Sequence, residues 1–349
     1  MHHGKGLGPR LNEGGAGPGI STIMRASRIE LALDSGAWVL AARGDIAVFR
    51  PRIGDDLSAL PKARVVVLTG FRPDHDHFAG LGYRTAATGQ FATALVCLPR
   101  GKAEAHGLLA EAAQALAPGA VMAIDGQKTD GIEAVLKDCR ALGLGVGAAQ
   151  SKAHGRIATC PADGRLLVWA AQDAVVDGFV TRPGVFSADG PDRGSAMLAA
   201  ALPKDLPARV GDLGAGWGYL SRAVLARPGV KALDVVEAEQ VALDCAARNL
   251  NDPRVALHWA DARSFRPARP WGAVVMNPPF HSGREVDLAL GQAFVRAAHK
   301  GLAPDGVLWM VANRHLPYEP VLRDLFRVVE EVAGDGAFRV SRAAYPVRR

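Results

Sequence analysis

"VGDLGAGWGYLS" (residues 210–221) runs an apolar strand into glycines at alternate positions, Gly214, Gly216 and Gly218, and then opens a helix. Lacking a Cβ, each glycine lets the backbone turn tightly and lets a ligand approach the main chain closely. The spacing is GxGxG. It is neither the GxGxxG of dinucleotide folds nor the GxxxxGKS/T of phosphate loops. Such a turn suits a small adenosyl ligand better than a pyrophosphate, although any tight strand-to-helix turn can also require glycine.

Outward from this turn, strand and helix signals alternate. "ALDVVEAE" (232–239), "VALHWADA" (255–262), "GAVVMNPPF" (272–280) and "GVLWMVAN" (306–313) read as strands, with helical runs such as "VALDCAARNL" (241–250) and "LALGQAFVRAAHKGLAP" (288–304) between them. This alternation predicts an α/β fold with a parallel, doubly wound sheet. Right-handed crossovers then place the strand C-terminal ends on one edge, where ligands collect. Acids fall at those ends. Glu237 lies 21 residues past Gly216, close to the roughly 20 expected for an acid bonding ribose hydroxyls. Glu239 is the alternative. Asp261, after the third strand, can accept an adenine amino group or simply cap a helix.

The fourth strand ends abruptly. In "VVMNPPFHSG" (274–283) two prolines follow a buried-looking strand, with Asn277 at its lip and Phe280 just beyond. Proline donates no ladder hydrogen bond and ends or edges a strand. The lip is therefore a rigid presentation of an amide and a carbonyl at the sheet edge.

The N-terminal half carries an echo. "AEAAQALAPGAVMAIDGQ" (110–127) reads like "VRAAHKGLAPDGVLWMVANR" (295–314), and "ATALVCLPRGK" (92–102) stands where "GAVVMNPPF" stands in the second half. We expect a duplicated fold whose first copy lacks both the glycine turn and the Asn-Pro-Pro-Phe lip. A chain of 349 residues, at about 100 to 200 residues per domain, fits two domains. The expected division is a disordered Gly-rich tail over 1–23, a first copy over 24–183 and a second over 184–349, with the junction in "FVTRPGVFSADGPDRGS" (179–195).

Hydrophobic residues make up 49% of the chain and charged residues 22%, as in a soluble globular protein. No apolar run reaches the roughly 18 to 20 residues that span a bilayer. The formal net charge of +6 leans toward a polyanionic partner such as RNA. Cys97, Cys139, Cys160 and Cys245 stand singly. That spacing points to neither a zinc site nor a disulfide framework, and suits a reducing cytoplasm.

Together, DLGAGWG, the acid after the second strand, Asp261 and NPPF resemble class I S-adenosylmethionine-dependent methyltransferases that act on planar nitrogens. Residues 185–349 carry the resemblance. It is strongest to the bacterial ribosomal RNA guanine-N2 methyltransferases of the RsmC-like type, through "VFSADGPDRGSAML", "NPPFHSG", "LAPDGVLWMVANRHLPYE" and the degenerate first copy. The resemblance implies a Rossmann-like methyltransferase sheet, S-adenosylmethionine as cofactor, and ribosomal RNA or a ribosomal subunit as partner of a cytoplasmic, monomeric enzyme. It implies no membrane and no metal. Asp212, Gly214, Gly216, Gly218, Glu237, Asp261 and Asn277 would face the cofactor. Asn277, Pro278, Pro279 and Phe280 would be catalytic, and His281 and Arg314 would lie on the substrate side. Asp192, Gly194 and Ser195 would help to cover the cofactor.

The lip has a physical rationale of its own. The lone pair of an exocyclic guanine amine is delocalised into the ring, so two acceptors, the Asn277 side-chain oxygen and the Pro278 carbonyl, would hold its N–H bonds and favour rehybridisation. Phe280 would stack on the base. A glutamine side-chain amide poses the same chemical problem, so a protein glutamine methyltransferase is the alternative, and an RNA-binding or assembly module without catalysis is a second. "FRPDHDHFAG" (71–80) is expected to be a surface loop rather than a metal site, since its polar residues are consecutive. "SKAHGR" (151–156) is expected to be a solvated linker that could meet RNA phosphates.

Overall fold

The computed structural model describes residues 20–279, 281–282 and 285–348. It opens with helix α1 (Ile20–Asp34), which begins ahead of the expected start at Met24. Two sheets of seven strands follow. The first comprises β1 (Ile46–Phe49), β2 (Val65–Leu68), β3 (Arg84–Thr85), β4 (Thr93–Cys97), β5 (Val121–Gln127), β6 (Gln150–Lys152) and β7 (Gly155–Pro161), in the order β3-β2-β1-β4-β5-β7-β6. A short hairpin, β8 (Ala174–Val176) and β9 (Phe179–Thr181), precedes the second sheet. That sheet comprises β10 (Arg209–Leu213), β11 (Ala232–Glu237), β12 (Val255–Trp259), β13 (Trp271–Met276), β16 (Leu302–Asn313), β17 (Phe326–Gly334) and β18 (Phe338–Pro346). Its order is β12-β11-β10-β13-β16-β18-β17, the same connectivity as the first. The intervening β14 (His281–Ser282) and β15 (Glu285–Val286) form a separate hairpin.

The central strands are buried along their whole length: Ile46–Phe49, Val65–Leu68 and Thr93–Cys97 have no exposed position. Parallel strands covered by helices on both faces are built from continuous apolar runs such as these. Separate apolar clusters pack on the two faces of each sheet. The antiparallel edge strand β17 was not legible in the same way. Phe326–Gly334 carries Arg327, Glu330 and Glu331 and is largely exposed, so no buried run marks it.

The duplication extends to the register. Val48 pairs with Val67 on one side and Leu95 on the other, as Asp212 pairs with Val235 and Val275. Two residues on from each, Arg50 corresponds to Gly214, Thr69 to Glu237 and Cys97 to Asn277.

The halves meet at these strand ends. The Arg72 amide donates to Ala238 O and the Gln240 amide to Gly70 O, both at 2.8 Å, a pair of bonds between equivalent positions of the two copies. The β8–β9 hairpin belongs with the second half, although it lies ahead of residue 184. Phe179 packs with Trp217, Ala242 and Cys245, and the Asn249 amide bonds Val180 on both its N–H and C=O.

Two expectations for the first half are corrected. "FRPDHDHFAG" is not a loop: Arg72–Gly80 is a helix, α2, and Asp74 is buried, accepting the Ile53 amide at 2.8 Å. Proline in the first helical turn and an acid behind it favour that helix start. "SKAHGR" is not a linker but the tight β6–β7 turn, with Ala153 and His154 in left-handed conformation and Arg156 paired to Glu133. Among the described residues no group of His, Cys, Asp or Glu is arranged to hold a metal ion, and no helix is long and apolar enough to cross a membrane.

Candidate active site

The glycine turn after β10 has the backbone the sequence demands. Gly214, Gly216 and Gly218 all have positive φ, at 73°, 56° and 94°, a region costly to side chains because Cβ crowds the following carbonyl. A Cβ on Gly218 would meet the Leu250 side chain at 2.9 Å, so any side chain there would also have to displace Leu250. A Cβ on Gly216 would meet nothing within 4 Å, so the turn leaves its outer side open. Trp217 is buried behind the turn, its indole N–H donating to Phe186 O at 2.9 Å. Helix α6 (Tyr219–Leu225) starts directly after it.

Asp212 lies beneath the turn, fully buried. Its Oδ2 accepts the Ser221 hydroxyl at 2.7 Å, and its Oδ1 has no partner among the described residues. Burial pushes its carboxyl up to about 7, because a low-dielectric surrounding disfavours the charged form.

Glu237, at the end of β11, is tied to the turn itself. Its Oε2 accepts the Gly216 amide and its Oε1 the Glu239 amide, each at 2.8 Å. Burial raises its pKa, against which the backbone bonds act. A carboxylate offers about four lone-pair positions, so two remain for vicinal hydroxyls. Open space above Gly216, the tethered Glu237 and the orphaned oxygen of Asp212 fit an adenosyl group.

Asp261 is at the end of β12 as expected, but its carboxylate is engaged. Both oxygens accept from the Arg263 guanidinium at 2.7 to 2.9 Å, and Oδ1 also accepts the Arg263 amide. It closes the turn after the strand, and its carboxylate would have to share this ion pair with an adenine amine.

At the lip, Asn277 is held by a constellation that the sequence did not reveal. Its Nδ2 donates to Asp192 Oδ2 at 2.9 Å and to Ser195 Oγ at 3.0 Å. Asp192 is also the N-cap of helix α5 (Arg193–Ala201), accepting the Ser195 amide at 2.8 Å. With both amide hydrogens committed to the α5 side, the Asn277 oxygen is turned the other way as an acceptor. Asp192 and Ser195 therefore orient Asn277, whereas sequence reasoning gave them only a covering role. Pro278 is buried and Pro279 exposed, so the first proline anchors the lip in the core and the second faces outward.

Phe280 lies outside the described residues. His281 starts the two-residue ladder with Val286 beyond the lip. Arg314 does not converge on Asn277: its guanidinium is taken by Glu331 and by the carbonyls of Asp335 and Phe338. The sheet order thus brings Asp212, the glycines, Glu237, Asp261 and Asn277 to one edge, while Arg314, just past the end of β16, has its guanidinium held against the β17–β18 hairpin.

A doubly wound sheet with a glycine turn, a ribose-side acid and an oriented asparagine at successive strand ends has the design of a methyltransferase. The methyltransferase small domain family matches residues 177–342. The chain belongs to the ribosomal RNA small subunit methyltransferase C family. It is 30% identical over 296 residues to the Aeromonas hydrophila member, with 78% of this chain and 86% of that protein covered. It is 32% identical over 193 residues to the Salmonella gallinarum member, a match spanning 54% of this chain and 56% of that protein's length. Among solved structures it resembles the Thermus thermophilus 16S rRNA N2 G1207 methyltransferase, RsmC, in complex with AdoMet and guanosine. That likeness has a TM-score of 0.74 at 26% identity and covers 92% of this chain and 91% of the other.

Proposed function

We propose that this protein methylates the exocyclic N2 amine of a guanine in small-subunit ribosomal RNA, with S-adenosylmethionine as donor. The observation that carries the reading is the fixed amide of Asn277, whose nitrogen is occupied by Asp192 and Ser195 and whose oxygen is left to accept. The Thermus relative, bound to AdoMet and guanosine, supports the choice of donor and of base.

S-adenosylmethionine supplies an electrophilic methyl group on a sulfonium centre. Glu237 would accept the ribose hydroxyls while Gly216 keeps the main chain close, and Asp261 would share its carboxylate with the adenine amine. At the lip, Asn277 Oδ1 and the Pro278 carbonyl would accept the two N–H bonds of the target amine. Held this way, the nitrogen pyramidalises and its lone pair turns from the ring toward the methyl carbon. Transfer would form the N–C bond at the expense of the donor's S–C bond, and the surplus proton would leave the alkylated nitrogen for solvent, so no strong general base is required. Acceptors fixed by prolines and by the α5 cap are set in place before the substrate arrives, and this preorganisation lowers the barrier. Phe280 would stack on the flat face of the base, a contact worth about 1 to 3 kcal/mol in nucleic-acid sites. A paired guanine would have to leave its helix to reach the lip.

The first copy would serve as the RNA-positioning domain of a monomeric, cytoplasmic enzyme, with His281 on the substrate side. The net charge of +6 supports contact with a polyanion. Asn277→Ala tests the lip directly. At saturating cofactor, turnover on small subunits should fall about 100- to 1000-fold, the usual effect of removing one preorganised group. Near wild-type turnover would sink the assignment.

A further inference from the structure

We propose that Arg50, in the half that lost the glycine turn, positions the ribose-side acid of the other half's cofactor site. This rests on the reading of that site given above.

Arg50 is the register equivalent of Gly214, and it keeps that glycine's backbone. Its amide donates to Leu68 O at 2.8 Å, as the Gly214 amide donates to Val236 O at 2.9 Å. Its φ is 50°, against 73° at Gly214. A left-handed arginine is uncommon, and such conformations persist where the surroundings over-determine them. Here the conformation sends the side chain across the seam. Arg50 Nη1 and Nη2 donate to Glu239 Oε1 and Oε2 at 3.1 and 2.8 Å, a two-pronged pair between the halves.

Glu239 is one bond from the cofactor site, because its backbone amide donates to Glu237 Oε1 at 2.8 Å. The same short segment is pinned on both sides, by Arg72 N to Ala238 O and by Gln240 N to Gly70 O. The Trp259 indole N–H lies 2.9 Å from both Gly70 O and Ala238 O. The degenerate turn of the first copy thus fixes where the Glu239 amide points, and that amide is one of the two that orient Glu237. The lip stands on a different strand and has its own supports in Asp192 and Ser195. Loss of Arg50 should therefore weaken cofactor binding and leave the chemical step alone.

The test is calorimetric titration of the full-length protein with S-adenosylhomocysteine, for wild type, R50M, R50K, E239Q and the double variant R50M/E239Q. We expect R50M and E239Q each to weaken binding about tenfold, or about 1.4 kcal/mol, with R50K between wild type and R50M. Arg50 also lies 3.5 Å from Glu104, but the closer Arg50–Glu239 pair is the contact both variants break, so their losses should not multiply in the double variant. Turnover at saturating cofactor should stay within about twofold. Wild-type affinity in R50M, losses that multiply in the double variant, or turnover that falls with affinity would each overturn the inference. Should R50M fail to fold, R50K and E239Q are judged by the same criteria. A wild-type protein that binds no S-adenosylhomocysteine would overturn the proposed function instead, and the inference with it.

Discussion

The two halves of this chain share one sheet order, and the turns at the C-terminal ends of their central strands are built differently. After β10 the chain turns through Gly214-Ala215-Gly216; after β1 it turns through Arg50-Pro51-Arg52. At the end of β11 stands Glu237, and after β2 comes Thr69. After β13 the strand breaks at Asn277-Pro278-Pro279, and after β4 at Leu98-Pro99-Arg100, with Cys97 at the level of Asn277. The helix ahead of each sheet differs in the same sense. In the second half, α5 presents Asp192 and Ser195 to Asn277. In the first, α1 buries Arg25 and Arg28 against Asp125, within β5, with Arg25 also reaching Asp55. A scaffold can keep its topology and register while the edge that carries chemistry is rebuilt as a salt-bridged seam. Fold and function are specified by different residues.

Substitutions at matched positions would sharpen this contrast. Asp192→Ala removes the acceptor that orients Asn277, and turnover should fall about 30- to 100-fold, since small displacements of a positioning group cost that much. Asp192→Asn keeps both the cap and an acceptor and should retain most of the activity. Melting curves separate this effect from the loss of the helix cap, worth about 1 kcal/mol. Gly216→Val forces a branched side chain into left-handed backbone over the open face of the turn. S-adenosylhomocysteine affinity should drop about tenfold or more, given roughly 1 to 2 kcal/mol of strain at such a position. A titration showing unchanged affinity would place the cofactor elsewhere.

Asp212 offers a test by pH. Its folded-state carboxyl, raised by burial to about 7, holds a proton that the unfolded chain has already released above the ordinary carboxylate range. Stability contributed by this group is therefore lost as pH rises from about 4 toward 7 and levels off beyond. Asp212→Asn removes that slope. The stability difference between apo wild type and variant should change, on the order of 1 to 3 kcal/mol, between pH 4.5 and 8 in denaturant titrations. A parallel pair of curves would contradict the burial of a titrating carboxyl there. The smallest expected effect is at Asn277's counterpart. Cys97→Ala should cost about 1 kcal/mol of stability by leaving a small void and leave turnover per folded molecule unchanged.

How much the sequence disclosed depends on how each feature is encoded. Val274-Val275-Met276, Asn277 and the glycines lie within one short window around a strand end, so local chemistry declares them. Glu237 is found by its distance from Gly216. The Asp192–Asn277 bond joins residues 85 apart, and Asp192 reads locally as an ordinary helix cap, which it also is. Arg50 was hidden more deeply. Nothing in "VFRPR" signals a left-handed arginine, and only the register shows that it occupies a glycine's place. Arg314 follows strand β16 beside the site, and the β17–β18 hairpin, whose exposed charges concealed it from sequence reading, engages its guanidinium through Glu331.

The most direct measurement is to incubate the protein with methyl-labelled S-adenosylmethionine and unmethylated small ribosomal subunits, their RNA and large subunits, then digest and identify the labelled product by mass. The account predicts N2-methylguanosine from small-subunit RNA, with the label abolished by Asn277→Ala. Label on another atom or another molecule, or label that survives the loss of Asn277, would contradict it.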